Sequence, residues 1–225
     1  MQAPLAGVTV LFDLDGTLVD TAGDLAASMN HALTQAGHPP VPLARVRHLV
    51  GNGARAMLAR GLGEAGVTPS AADLDAHVAA FLEHYRDNIA VTSRPFPGAV
   101  AAIETLAADG AALAICTNKR EQWARALIEA LGLADYFQAI IGADTSGAAK
   151  PDPRPVRRGL DDTGNAVGVF IGDSDTDIRA AEAAGVPCLA ALFGYGPLDL
   201  CEQAFALFSH FDETPALVRF AAGRG

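Results

Sequence analysis

Cysteine is scarce in this chain: three in 225 residues, at positions 116, 188 and 201. No two of them form a CxxC pair, so neither a thiolate zinc site nor a disulfide framework is indicated. Cys116 and Cys188 stand in apolar runs, where burial as small hydrophobes in a reducing cytoplasm is the expectation. Basic residues are also in deficit, 16 Lys and Arg against 26 Asp and Glu, for a formal net charge of −10. That balance argues against nucleic acid or an anionic membrane surface as a partner. Long hydrophobic runs are missing too. None approaches the ~18 uncharged residues that span a bilayer. The opening "MQAPLAGVTVLFD" lacks the basic start of a signal peptide. The expectation is a cytoplasmic protein with no membrane partner.

What the chain does have is core-forming material, with 50% hydrophobic residues. Short apolar runs recur at 7–12, 111–117, 137–142, 167–172 and 186–193. Each is strand-length and unbroken by polar alternation, as in strands covered on both faces. Helix-length segments separate the later runs, among them "REQWARALIEALG", with Trp123, Leu127, Ile128 and Leu131 on one stripe. Strands alternating with helices predict an α/β fold with a parallel sheet. Residues 20 to 92 break the alternation. Leu25, Met29 and Leu33 lie four apart, and Ser70 with Asp73 has capping-box spacing ahead of Leu74, Val78, Phe81, Leu82 and Tyr85. The reading is a Rossmann-like core of residues 1–19 and 93–225, interrupted by an all-helical insertion at 20–92. "VTSRPFPG" (91–98) is read as a stiff return hinge, paired with residues 17–22.

In an open parallel sheet, ligands bind beyond the carboxyl ends of the strands. After the first apolar run comes Asp13-Leu14-Asp15-Gly16-Thr17; after the second, Thr117, Asn118 and Lys119; beyond the third, Lys150; after the fourth, Asp173, Ser174, Asp175 and Asp177. Singly, each has a plain structural explanation: turn chemistry for the Asp pair, helix capping for Thr117-Asn118, a solvated loop lysine, an acidic helix start. Jointly, at successive strand ends, they suit phosphoryl transfer with a hard cation. Carboxylates and phosphate oxygens ligate Mg²⁺, and the ion would relieve the repulsion among Asp13, Asp15 and Asp173. One carboxylate can be a nucleophile, a second a general acid and base, while Thr117 and Lys150 hold phosphoryl oxygens.

"DLDGTLVDT", "CTNK", "KPDP" and "GDSDTD" resemble, in order, the four signature motifs of the haloacid dehalogenase superfamily. The resemblance implies a Rossmann-like core with a small helical cap inserted after the first motif. It makes Asp13 the nucleophile and Asp15 the general acid and base. Thr117, Asn118, Lys150 and Gly16 fall on the phosphate side. Asp13, the backbone carbonyl of Asp15, and Asp173 become Mg²⁺ ligands, with Asp177 in support through water. Within the superfamily the chain looks most like phosphoglycolate phosphatases, "FGYG" at 193–196 included. The expected activity is therefore hydrolysis of a small anionic phosphorylated metabolite, 2-phosphoglycolate first, through an aspartyl-phosphate.

Other phosphatase substrates (sugar phosphates, nucleotides, pyrophosphate) and a sugar-phosphate mutase stay open as alternatives. Asp15 disfavours a C–halogen hydrolase, and the complete motif set disfavours a non-catalytic module. Between Pro42 and Gly63 the insertion carries Arg45, Arg47, His48, Arg55 and Arg60, with no acid until Glu64. That patch suits a second anionic group on the substrate, with Arg55 the single best candidate. Oligomeric state, monomer or homodimer, is left open.

Overall fold

A computed structural model describes residues 3–223. Its frame is a six-stranded parallel sheet in the order β5-β4-β1-β6-β7-β8. The central strand β1 (Val8–Phe12) is buried at every residue. β4 (Ala112–Cys116) flanks it on one side and β6 (Val167–Gly172) on the other. β5 (Ala139–Ile141) lies outside β4, and β7 (Cys188–Ala191) then β8 (Ala206–Phe208) continue beyond β6. Because strand side chains alternate faces, Val10, Phe12, Leu113, Ile115, Val169 and Ile171 fill one side, while Leu11, Ala114, Cys116 and Phe170 fill the other. Cys116 and Cys188 are buried as free thiols, as expected.

The apolar runs therefore mark the strands, with two differences. β5 is only three residues long, although Gln138 N still bonds Leu113 O of β4, and β8 was not anticipated. β8 is a three-residue edge strand of mixed burial, too short for a periodic signal.

The chain leaves the sheet after β1 and makes a two-residue strand, β2 (Val19–Asp20). Four helices follow: α1 (Ala22–Gln35), α2 (Leu43–Arg47), α3 (Gly53–Glu64) and α4 (Ala71–Asp87). Leu25, Met29, Leu33, Val46, Leu58, Phe81 and Tyr85 give these helices a hydrophobic cluster of their own. Ser70 caps α4 by accepting from the Asp73 N–H. The return segment makes β3 (Arg94–Pro95), which pairs antiparallel with β2. The two crossings expected to be hinges are thus one short ribbon. The rest of the chain supplies α5 (Ala99–Ala108), α6 (Glu121–Ala130), α7 (Arg154–Thr163), α8 (Asp175–Ala184) and α9 (Thr214–Ala222) against the sheet. Trp123 on α6 departs from its predicted stripe and packs on the helical cluster instead.

Asp24, in the first turn of α1, fastens the ribbon. It is 2% exposed and accepts from the backbone N–H and hydroxyl of both Thr92 and Ser93, at 2.7–3.1 Å. Burial alone would raise its pKa, but the hydrogen bonds from Ser93 and Thr92 outweigh it and hold the carboxyl below its ordinary value. Asp24→Ala strands these donors, and is expected to cost about 2–4 kcal/mol, or roughly 4–16 °C in Tm for a chain of this size. Because the folded pKa is depressed, the stabilisation is present above the unfolded Asp value and is lost as pH falls through the folded one. Melting curves of wild type and variant from about pH 7 to pH 3 check both: the gap is expected to close in acid.

Candidate active site

β1 sits where the strand order reverses, with β4 on one side and β6 on the other, so the loops beyond these carboxyl ends converge. Asp13 is fixed as β1 ends by its N–H bond to Ile171 O at 2.8 Å. Lys150 reaches it from the loop before α7, with Nζ 2.8 Å from Asp13 Oδ1 and 2.6 Å from Asp177 Oδ1. Asn118 holds that loop in place: its side chain accepts from Lys150 N at 2.8 Å and donates to Lys150 O at 3.0 Å. It also donates to Gly51 O of the insertion at 3.1 Å. Thr117 is buried beside it, its N–H bonded to Ile141 O.

The start of α8 supplies the other acids. Ser174 and Asp177 close a reciprocal capping box, which pins the Asp177 carboxylate inward. Asp177 meets Lys150 directly. Asp175 accepts from Leu200 N and takes no part in the cluster. Asp173 accepts from Thr17 Oγ1 at 2.8 Å, from Tyr195 N at 2.6 Å and from Gly196 N at 3.1 Å. Gly16 has φ +89°, and a Cβ there would lie 2.7 Å from the Tyr195 ring and 2.8 Å from Asp173 Oδ2. Only glycine fits that turn.

Asp15 has both carboxylate oxygens engaged. Oδ1 accepts from Thr21 Oγ1 at 2.7 Å, and Oδ2 lies 3.0 Å from Lys119 Nζ. These groups line a cleft of about 510 Å³ between the sheet's carboxyl edge and the helical insertion. The insertion's side of the cleft brings Val78, Phe81, Leu82 and Tyr85, with His48, Gly51–Gly53 and Arg55 from the α2–α3 region.

With this geometry in view, the chain can be compared with known proteins. Residues 10–191 match the haloacid dehalogenase-like hydrolase family. The chain belongs to that family. Its relatives include the phosphoglycolate phosphatase of Caulobacter vibrioides, 46% identical over 95% of this chain and 92% of that one. The phosphoglycolate phosphatase of Mesorhizobium japonicum is 44% identical over 90% of this chain and 91% of its own. Among solved structures, a predicted phosphoglycolate phosphatase from Haemophilus somnus superimposes with a TM-score of 0.86 at 28% identity, covering 93% of this chain and 96% of that one.

The donor set could hold a metal ion. Asp13, Asp173 and Asp177 each present a carboxylate oxygen, all within 4.8 Å of one another. Three buried carboxylates against one ammonium leave an excess of negative charge that a hard divalent cation would offset. Burial first, then Asp177 and Asp173, push Asp13 up to about 7 despite the opposing Lys150. Burial and Asp177 push Asp173 up to about 6 against its three hydrogen bonds. Burial would lower the Lys150 pKa, but Asp13 and Asp177 keep the ammonium firmly charged.

The predicted residues Asp13, Asp15, Gly16, Thr117, Asn118, Lys150, Asp173 and Asp177 are thus brought together. Arg55 lies at the mouth, about half exposed and paired with Asp75. Arg45 pairs with Glu64 and Arg47 with Asp20, so the cationic patch of the sequence is largely neutralised in three dimensions. Lys119, Thr17, Tyr85 and Tyr195 were not singled out as site residues, although Lys119 adjoins Asn118 and Tyr195 lies in the quoted "FGYG". Their partners are dozens of residues away, which no local spacing reveals.

Because the Asp13 and Asp173 pKa values are raised, the metal-free fold binds extra protons between about pH 4 and pH 7, and its stability falls as pH rises through that window. Adding Mg²⁺ is expected to stabilise the protein by about 2.7 kcal/mol at a hundredfold excess over Kd. The gain should be larger near pH 8 than near pH 5.5, where protons compete for the same oxygens. Thermal melts with and without Mg²⁺ at both pH values measure this; a gain that ignores pH counts against the cluster as the binding site.

Proposed function

We propose that the chain is a Mg²⁺-dependent phosphomonoester hydrolase for a small anionic phosphorylated metabolite, 2-phosphoglycolate foremost, working in the cytoplasm. The observation that carries this reading is the buried Lys150 ammonium between Asp13 and Asp177 at the floor of the cleft. It puts a nucleophile, a phosphate-binding cation and a metal's donor set in one cluster. The relatives' names supply the choice of substrate.

In this reading Asp13 attacks phosphorus, and a new P–O bond forms as the bond to the leaving oxygen breaks. Asp15 gives that oxygen a proton. It later takes one from the water that attacks the aspartyl-phosphate and breaks its P–O bond to Asp13. Inorganic phosphate departs, Asp13 is again a carboxylate and Asp15 again carries its proton. Lys150 and Thr117 hold the phosphoryl oxygens as charge shifts. Asn118, its amide spent on Lys150 and Gly51, and Gly16, its N–H spent on Val19 O, fix the loops around them rather than the phosphate. Mg²⁺, held by Asp13, the Asp15 carbonyl and Asp173 with Asp177 in support, would supply charge neutralisation at the transferring group. The helices of residues 20–92 act as a cap on the core of 1–19 and 93–225, excluding water and moving about the β2–β3 ribbon to release product.

The test is phosphate release from phosphoglycolate, hexose phosphates, nucleotides and pyrophosphate, each with and without Mg²⁺. Phosphoglycolate is expected to be turned over fastest and only with the metal. Asp13→Asn, which keeps the shape but removes the nucleophile, should lower kcat at least about 10³-fold. Magnesium-independent turnover, or an active Asp13→Asn enzyme, would refute the mechanism.

A further inference from the structure

Lys119 is the buried core-side cation of the cleft that the mechanism above leaves without a task; its neighbour Arg120 also lines the cleft but is exposed. The Lys119 side chain is 8% exposed, and its ammonium lies 3.0 Å from Asp15 Oδ2 and 3.2 Å from Tyr85 Oη, above the Tyr85 ring at 4.8 Å from the centroid. Asp15 and Lys119 belong to the sheet's edge, whereas Tyr85 belongs to α4. Next to them Trp123 lines the same cleft and meets Tyr85 edge-on, with centroids 6.2 Å apart. Its indole Nε1 is, among the described residues, the buried side-chain donor that has no hydrogen-bond partner. An ammonium and an N–H without an acceptor therefore flank one aromatic ring, beside the carboxylate that must serve the leaving group. Buried donors of this kind call for an acceptor, and an anionic one gives the strongest bonds.

Of the other cations lining the cleft, Arg120 is exposed to solvent, and three are committed elsewhere. Arg55 is paired with Asp75 in solvent, and Arg60 donates to Leu49 O. Lys150 is held by Asp13 and Asp177 at the phosphoryl end.

We propose that Lys119 is a specificity-determining residue: its ammonium exchanges Asp15 for the second anionic group of the substrate, a carboxylate, with the Trp123 N–H as a further donor. This rests on the phosphatase reading above. The exchange has a consequence for the chemistry. With the substrate absent, Thr21 bonds Oδ1 of Asp15 and the Lys119 ammonium lies against Oδ2, so each oxygen is already drawn to a donor before a leaving group arrives. An anionic tail that draws Lys119 away releases Oδ2. A substrate without such a tail leaves Asp15 engaged, so the enzyme rejects it both in binding and in the proton-transfer step.

The test compares phosphoglycolate with ethyl phosphate, which has the same chain length and a methyl group in place of the carboxylate. Binding of each is measured by calorimetry with Mg²⁺ in an Asp13→Asn background, where no turnover intervenes. The expected preference for phosphoglycolate is roughly 10- to 100-fold, the worth of a charge-assisted hydrogen bond. Lys119→Met should collapse that ratio toward unity, and Lys119→Arg, which keeps the charge, should retain most of it. Melting curves confirm that each variant is folded. A ratio unchanged by Lys119→Met, or no preference before the substitution, overturns the proposal. A native Asp13 protein that prefers phosphoglycolate through Lys119 yet releases no phosphate would refute the phosphatase reading while supporting the Lys119 assignment.

Discussion

The site is organised around crowding of negative charge at the ends of two adjacent central strands. Asp13 closes β1, Asp173 closes β6, and Asp177 turns back from the first turn of α8. Desolvation and like charge oppose such a cluster, so each member is fixed by donors that would be superfluous elsewhere. Lys150 bridges Asp13 and Asp177, Ser174 and two backbone N–H groups hold Asp177, and Thr17 with Tyr195 and Gly196 hold Asp173. The glycines belong to the same solution. A Cβ at Gly194 would stand 2.2 Å from Asp173 Cβ, so the loop after β7 can close over this carboxylate only without a side chain. Natural proteins break local rules of this kind where function demands it.

How much of this was legible in the sequence depends on the range of each interaction. The central strands were legible because both faces are covered, which forces unbroken apolar runs. The strand-end acids, Thr117, Asn118 and Lys150 were legible because each follows its strand within a few residues or sits in a short motif. Arg45, Arg47 and Arg55 were misjudged as a group for the opposite reason. Their partners Glu64, Asp20 and Asp75 come from other elements, so a local count of acids did not register the neutralisation. Asp24 and β8 were invisible on the same ground: one is an ordinary helix residue until Thr92 and Ser93 fold against it, and the other is three residues at a sheet edge.

The insertion is joined to the core at chemically distinct points, two of which adjoin the cluster. Asn118 spans from the Lys150 loop to Gly51, Lys119 spans from Asp15 to Tyr85, and Asp24 ties α1 to the return strand. None is a broad apolar interface. Polar links at a wet cleft exchange partners with water at little net cost, whereas each unit keeps a hydrophobic cluster of its own. That division of labour lets the helical layer shift without unfolding either part.

Tyr195 shows how such a shift would be felt at the metal's donor set. Its backbone N–H holds Asp173 at 2.6 Å, while its hydroxyl accepts from Ala22 N and donates to Asp20. Asp20 in turn pairs with Arg47, whose guanidinium lies 5.4 Å from the centroid of the same tyrosine ring. One residue therefore carries a continuous chain of contacts from α2 through the β2–β3 ribbon to Asp173. The chain has two ends with different stiffness: Asp173 is buried and triply bonded, whereas Arg47 and Asp20 are partly in solvent. Any displacement of the helices would therefore meet its softer end at Arg47 and Asp20 and its stiffer end at Asp173.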